Sequence, residues 1–204
     1  MTSRAAPKAS DAIATFIGSF SNPMEVIEPV LPEIAFLGRS NVGKSSLLNA
    51  LVGIKGLAKV SATPGKTQTM NVFKVDQGRP YYLVDLPGYG YAKTSKTNRA
   101  SFVALIDGYL NRRLTVTGLV WLLDIRHDPS AEDRTMAEIL GDRGLPVLAI
   151  FTKADKLGTQ ATRTQARAIT RALGLNEEQA QVTSSKTGAG IAELRATIAA
   201  AVAG

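Results

Sequence analysis

The chain has no cysteine, which excludes disulfides and thiolate-held metals and is compatible with a reducing cytoplasm, the compartment expected for it. Histidine is almost absent too. His127 is the only one, so we assign it a surface or supporting role rather than metal ligation. Long apolar runs are also missing. The longest, residues 118–123 and 147–151, are strand-sized, far short of the roughly 20 residues needed to cross a bilayer. The opening MTSRAAPKASDAIATFIGSF has basic residues but no hydrophobic centre or cleavage pattern, so a secretory signal is not expected.

Acidic side chains are scarce in one region only. Residues 34–84 carry seven basic and one acidic side chain, and residues 85–127 carry six and three. Residues 128–204 balance at nine and nine, and residues 1–33 hold two basic and four acidic. The net +7 therefore comes from the middle of the chain. That excess either keeps the surface soluble or meets an anionic partner such as nucleic acid.

The 204 residues, 45% of them hydrophobic and 20% charged, suffice for one domain with a buried core. Strand-like and helix-like segments alternate from about residue 31, predicting an α/β fold with a mostly parallel central sheet and helices on both faces. Strands are expected at residues 33–37, 71–75, 81–84, 119–123, 147–151 and 181–183. Helical spacing links Leu47, Leu48, Leu51 and Val52; Phe102, Leu105, Ile106 and Tyr109; Met136, Ile139 and Leu140; and Ile191, Leu194 and Ile198. A further helix is expected near residues 160–173. Trp121 reads as core. Residues 1–20 read as a flexible or partly helical arm before a domain spanning 21–204. Residues 53–69 and 86–97 lack periodicity and read as loops at strand ends, where α/β domains bind ligands.

Gly38-Arg39-Ser40-Asn41-Val42-Gly43-Lys44-Ser45 fits the phosphate-loop pattern GxxxxGK[ST], with Ser46 next in the helix that it opens. Its glycines let backbone N–H groups wrap phosphates, and the helix N-terminus adds a favourable dipole. Lys44 is expected to reach the β- and γ-phosphates and Ser45 to ligate Mg²⁺. Asp85-Leu86-Pro87-Gly88 ends a strand, where Asp85 would hold Mg²⁺ and the Gly88 N–H would meet the γ-phosphate. Thr152-Lys153-Ala154-Asp155 follows another strand and resembles the [NT]KxD guanine motif. The Asp155 carboxylate accepts from guanine N1–H and the exocyclic amine, a pair that adenine cannot offer, and Lys153 lies along the base. Thr152 stands where Asn is more usual. Thr183, Ser184, Ser185 and Lys186 resemble the short loop that supports the base. Gly65, Lys66, Thr67, Gln68 and Thr69 fall where a first switch loop belongs. Thr67 is taken as the second protein ligand to Mg²⁺, with Thr63 as the alternative. Lys44, Thr67 and Gly88 form the expected catalytic set, and Ser45, Thr67 and Asp85 the metal set.

GRSNVGKSSLLNAL, TPGKTQT, DLPGYGYAK, DIRH and TKAD occur in this order. Together they resemble the EngB family of bacterial ribosome-assembly GTPases from about residue 16 onward. DLPGYGYA and DIRH are the segments that separate that family from other GTPases. The resemblance implies a Ras-like fold, Mg²⁺-dependent GTP hydrolysis and action in maturing the large ribosomal subunit. It also implies a link to cell division and septation. GTP or GDP and the large subunit or its precursor, through rRNA, are the implied partners, and a monomer is expected.

Two positions bear on mechanism. Tyr89 follows Gly88, where Ras-type enzymes carry the glutamine that orients the attacking water, so slow intrinsic turnover is expected. Asn41 stands where some related GTPases bind potassium; the other reading is that it stabilises its loop. Tyr89 and Tyr91 either stack on RNA bases or pack within the switch. Two competing readings remain for the whole chain. One is an ATP-dependent small-molecule kinase, which would share the phosphate loop but not TKAD. The other is a binding module with GTP as a structural ligand.

Overall fold

The computed structural model describes residues 14–58, 69–90, 96–141 and 144–204, without the side chains of residues 96–101 and 103. Seven strands form one sheet: β1 (Ala14–Phe20), β2 (Glu33–Gly38), β3 (Met70–Val75), β4 (Tyr81–Asp85), β5 (Val116–Asp124), β6 (Val147–Thr152) and β7 (Ala180–Val182). Five helices join them: α1 (Lys44–Val52), α2 (Lys96–Arg112), α3 (Ala131–Gly141), α4 (Thr159–Ala172) and α5 (Ile191–Ala203). The spatial order is β1-β3-β4-β2-β5-β6-β7. β3 pairs antiparallel with both neighbours, and every other pairing is parallel.

Alternation along the strands builds a core on each face. On β2, Ile34 and Phe36 meet Leu47, Leu48 and Leu51 of α1 and Leu194 and Ile198 of α5. Ala35 and Leu37 turn the other way, joining Trp121 of β5, Ile106 and Tyr109 of α2, Met136 of α3 and Ile169 of α4. β2 is buried at all six positions, as a parallel strand covered on both faces must be.

The chain leaves β2 through α1 and β3 to β4 on one side, then returns through α2 to β5 on the other. This reversal opens a crevice at the carboxyl ends of β2, β4, β5 and β6, the position where doubly wound sheets hold ligands.

The expected arm over residues 1–20 needs correction. Residues 14–20 are strand β1, which covers the free edge of β3. Phe16 packs on Phe73 at 5.4 Å between ring centroids. ATFIGSF has no charge or proline and is rich in β-branched and aromatic residues, a composition that suits a strand once a pairing edge is available. Residues 1–13 lie outside the described residues.

At the opposite end of the sheet from the crevice, Glu33 is 1% exposed. It accepts from Arg113 Nε at 2.7 Å and from the Tyr109 hydroxyl at 2.7 Å. The same arginine donates to the Pro23 and Glu25 carbonyls, fastening residues 23–25 to the start of β5. A carboxylate buried this deeply is tolerated only when paired and hydrogen-bonded.

Candidate functional site

α1 begins where β2 ends, and the turn between them is built from unusual backbone. Gly43 has φ 105° and Asn41 φ 65°. Glycine adopts such angles freely, and asparagine is one of the few other residues that tolerates them. Among the described residues a Cβ on Gly43 would meet only the Lys153 side chain within 4 Å, at 3.9 Å, across the mouth of the loop. Asn41 presents an exposed side chain, and its backbone carbonyl has a partner described below.

Lys44 turns back over this mouth. Its ammonium pairs with the Asp85 carboxylate and donates to the Leu86 carbonyl at 2.7 Å. The expected phosphate-binding lysine and metal-binding carboxylate are thus neighbours, though 41 residues apart in sequence. Ser45 is half-buried in the first turn of α1. Ser45 and Asp85 provide hard oxygen donors of the kind Mg²⁺ prefers, so the described residues fit that ion. Thr67, Gly65, Lys66, Gln68 and the alternative Thr63 lie outside the described residues. Thr69 is half-buried at the entry to β3.

The loop after β4 is tied to the phosphate loop. Ser40 N donates to the Tyr89 carbonyl at 3.1 Å, and Tyr89 N donates to the Gly38 carbonyl at 3.2 Å. Between these bonds Gly88 passes so close that a Cβ would sit 3.2 Å from Ser40 N and Oγ. Only glycine allows this approach without displacing the loop.

Tyr89 itself points inward. It is 6% exposed; its hydroxyl donates to Asp133 at 2.7 Å and accepts from the Trp121 indole N–H at 2.7 Å. Burial, reinforced by the Asp133 charge, pushes the phenol far above its usual range. Asp133 also accepts from Ser130 N and Oγ at 2.9 Å, capping the start of α3. Of the two readings for Tyr89, packing holds and stacking on RNA does not. Tyr91 lies outside the described residues. Trp121, expected in the core, is 0% exposed.

The base motif lies on the other side. Thr152 is 3% exposed and donates to the Val42 carbonyl at 2.8 Å, joining the end of β6 to the phosphate loop. Lys153, at φ 62°, donates to the Asn41 carbonyl at 2.8 Å and pairs with Asp124 at 2.8 Å. Asp124, the first residue of the DIRH segment, also accepts from Arg126 Nη2 at 2.7 Å. Burial alone would raise the Asp124 pKa, but the bonds from Arg126 and Lys153 outweigh it and hold the carboxyl far below the usual range. Asp155 accepts from Ser184 Oγ at 2.7 Å, and this bond lowers its pKa. Ala154 N donates to the Thr183 carbonyl at 3.2 Å. Ser185 is half-buried beside them and Lys186 exposed.

A cleft of about 240 Å³ opens behind the phosphate loop, walled by Arg39, Asp124, Arg126, His127 and Lys153. It reaches the base motif at Lys153, while Asp155 and Ser184 are not on its wall. His127 is exposed there. Sequence reasoning missed the supporting roles of Asp124 under Lys153, Asp133 under Tyr89, and Asn49, and it placed Ser184 in the base-supporting loop without its bond to Asp155. The Asn49 amide grips both backbone groups of Ala58, at 2.9 and 2.7 Å, where the chain leaves α1 toward the first switch segment.

The family model described as 50S ribosome-binding GTPase matches residues 33–153. A probable GTP-binding protein EngB from Gemmatimonas aurantiaca is 46% identical over 84% of this chain and 83% of its own length. The chain belongs to the EngB family of GTP-binding proteins. A second EngB relative, from Exiguobacterium sibiricum, is 45% identical over 87% of this chain and 92% of its own length. Among solved structures, a probable GTP-binding protein engB superposes with a TM-score of 0.66, covering 83% of this chain and 98% of that one at 20% identity, a likeness of fold. Era in complex with MgGDPNP and nucleotides 1506-1542 of 16S ribosomal RNA is 26% identical, with a TM-score of 0.65 over 82% of this chain and 55% of that one. The EngB-family fold is therefore the Ras-like P-loop GTPase fold. No helix among the described residues is long and apolar enough to cross a membrane.

Proposed function

We propose that this EngB-family chain is a slow, Mg²⁺-dependent GTPase switch that acts on the large ribosomal subunit or its precursor. One observation carries the nucleotide part. The Lys153 ammonium donates to the Asn41 carbonyl, so a single side chain joins the phosphate loop to the base motif, as a ligand with a guanine at one end and phosphates at the other requires. Asp155, steadied by Ser184, reads the base. The backbone N–H groups at the start of α1 and the Lys44 ammonium receive the phosphates.

Ser45 and Asp85, with Thr67, are the residues that would hold Mg²⁺. When bound, the ion supplies charge neutralisation on the β- and γ-phosphate oxygens. Gly88 presents its N–H to the γ-phosphate. With the Tyr89 side chain buried, the chain lacks a glutamine-like group there to orient water, which supports slow turnover in isolation. Asn41 is the candidate potassium ligand. Hydrolysis in KCl should then exceed that in NaCl at equal ionic strength, and Asn41→Ala should remove the difference; equal rates would dismiss potassium.

The ribosomal part rests on family membership and on the basic excess of residues 34–127, which include both switch segments. Lys59, Lys66, Lys93, Lys96 and Arg99 lie in or beside them, so phosphate contacts there would change with the nucleotide. A cytoplasmic monomer with a bearing on cell division and septation follows from the same reading. Co-sedimentation with large subunits tests it. Binding should be tighter with a non-hydrolysable GTP analogue than with GDP at one salt concentration. Lys93→Glu with Lys96→Glu should weaken it while leaving nucleotide affinity unchanged. Equal binding in both nucleotide states would reduce the partner to nonspecific RNA.

A further inference from the structure

The charge balance of residues 128–204 is not uniform in space. α4, TQATRTQARAITRA, carries Arg163, Arg167 and Arg171 and no acidic side chain, whereas α3 and α5 mix both signs. The arginines follow one another at four-residue steps, and Gln160 and Thr164 share their side of the helix. All five are exposed. Ile169, beneath them, and Leu173, just past the helix end, are buried in the core. At 1.5 Å per residue the stripe runs for about 16 Å.

Among the described residues none of the three guanidiniums has an ion pair or a side-chain hydrogen bond. Like charges one turn apart repel, and only Arg171, in the last turn, favours the helix through its dipole. Every side chain on it can donate a hydrogen bond, and each cation is arginine rather than lysine. Arginine's fixed fork matches the paired oxygens of a phosphate. We propose that this face of α4 docks on the phosphate backbone of RNA, through residues that belong to neither switch segment. The inference rests on the reading of an RNA-rich partner and adds a contact independent of the bound nucleotide. α4 is anchored through Ile169 and Thr170 and contains no residue of the phosphate loop or of either switch.

The test uses the full chain and the variant Arg163→Gln, Arg167→Gln, Arg171→Gln, which keeps helix propensity and should leave GTP affinity unchanged. Dissociation constants are measured against large ribosomal subunits, an RNA duplex and anionic lipid vesicles over a salt series. Three lost phosphate contacts should lower the slope of log affinity against log salt by about 2 to 3 and weaken binding at moderate salt on the order of tenfold. The loss should be equal with GDP and with a GTP analogue. An unchanged slope for subunits and duplex, or an effect confined to vesicles, overturns the proposal. Wild-type binding to the duplex through these arginines without binding to subunits would leave α4 as an RNA face and refute the ribosomal reading. Binding to neither would refute both.

Discussion

Asp155 and Asp124 show how one residue type does different work by virtue of its neighbours. Asp155 keeps one oxygen on Ser184 Oγ and its carboxylate charge for the base. Asp155→Asn should lower GTP affinity by roughly 10²–10⁴-fold, the loss of two hydrogen bonds to a charged group, and should raise affinity for xanthosine triphosphate, whose edge suits an amide. Isothermal titration with both nucleotides checks this, and unchanged GTP affinity would remove Asp155 from base reading. Asp124 faces no base; it holds Lys153 and Arg126. Because its pKa is lowered in the folded chain, its stabilisation is present above the unfolded value of about 3.9 and fades as pH falls below it. The melting-temperature gap between wild type and Asp124→Asn should therefore be widest near neutrality, begin to narrow below about pH 4 and go on narrowing as the pH falls toward the strongly lowered folded-state value. A gap constant with pH would contradict the ion-pair account.

At the scale of elements, the loop after β4 is anchored by its first aromatic residue. Tyr89 joins β5 through Trp121 and the N-terminus of α3 through Asp133. Tyr89→Phe keeps the ring but leaves the Asp133 carboxylate and the Trp121 N–H each short of a partner in the interior. Denaturant titration should show a loss of about 1–3 kcal/mol; no loss would mean that water replaces the hydroxyl. This anchor was not legible in the sequence. DLPGY marks the loop's position by its spacing from the phosphate loop, but nothing local tells that a tyrosine turns inward to a partner 44 residues away. β1 was missed for a related reason. Its apolar residues lie on an edge strand whose partner, β3, comes more than 50 residues later, and the pairing is a tertiary fact that local pattern does not encode.

The molecule as a whole was more readable. Apolar runs such as residues 34–37 and 147–151 announced buried parallel strands. Phosphate loop, DLPG and TKAD each followed such a run, so their convergence at one end of the sheet followed from topology. The lysine–aspartate tie between Lys153 and Asp124, and the buried Glu33–Arg113 pair at the far end, depend on side-chain directions that only the assembled sheet fixes. The site's purpose is tested most directly by phosphate release from radiolabelled GTP in a single turnover, with and without large ribosomal subunits. Slow Mg²⁺-dependent release, unaffected by excess ATP, accelerated by subunits and abolished in Lys44→Ala, is the predicted result. Stoichiometric GTP binding with no phosphate released under either condition would contradict the switch and leave GTP as a structural ligand.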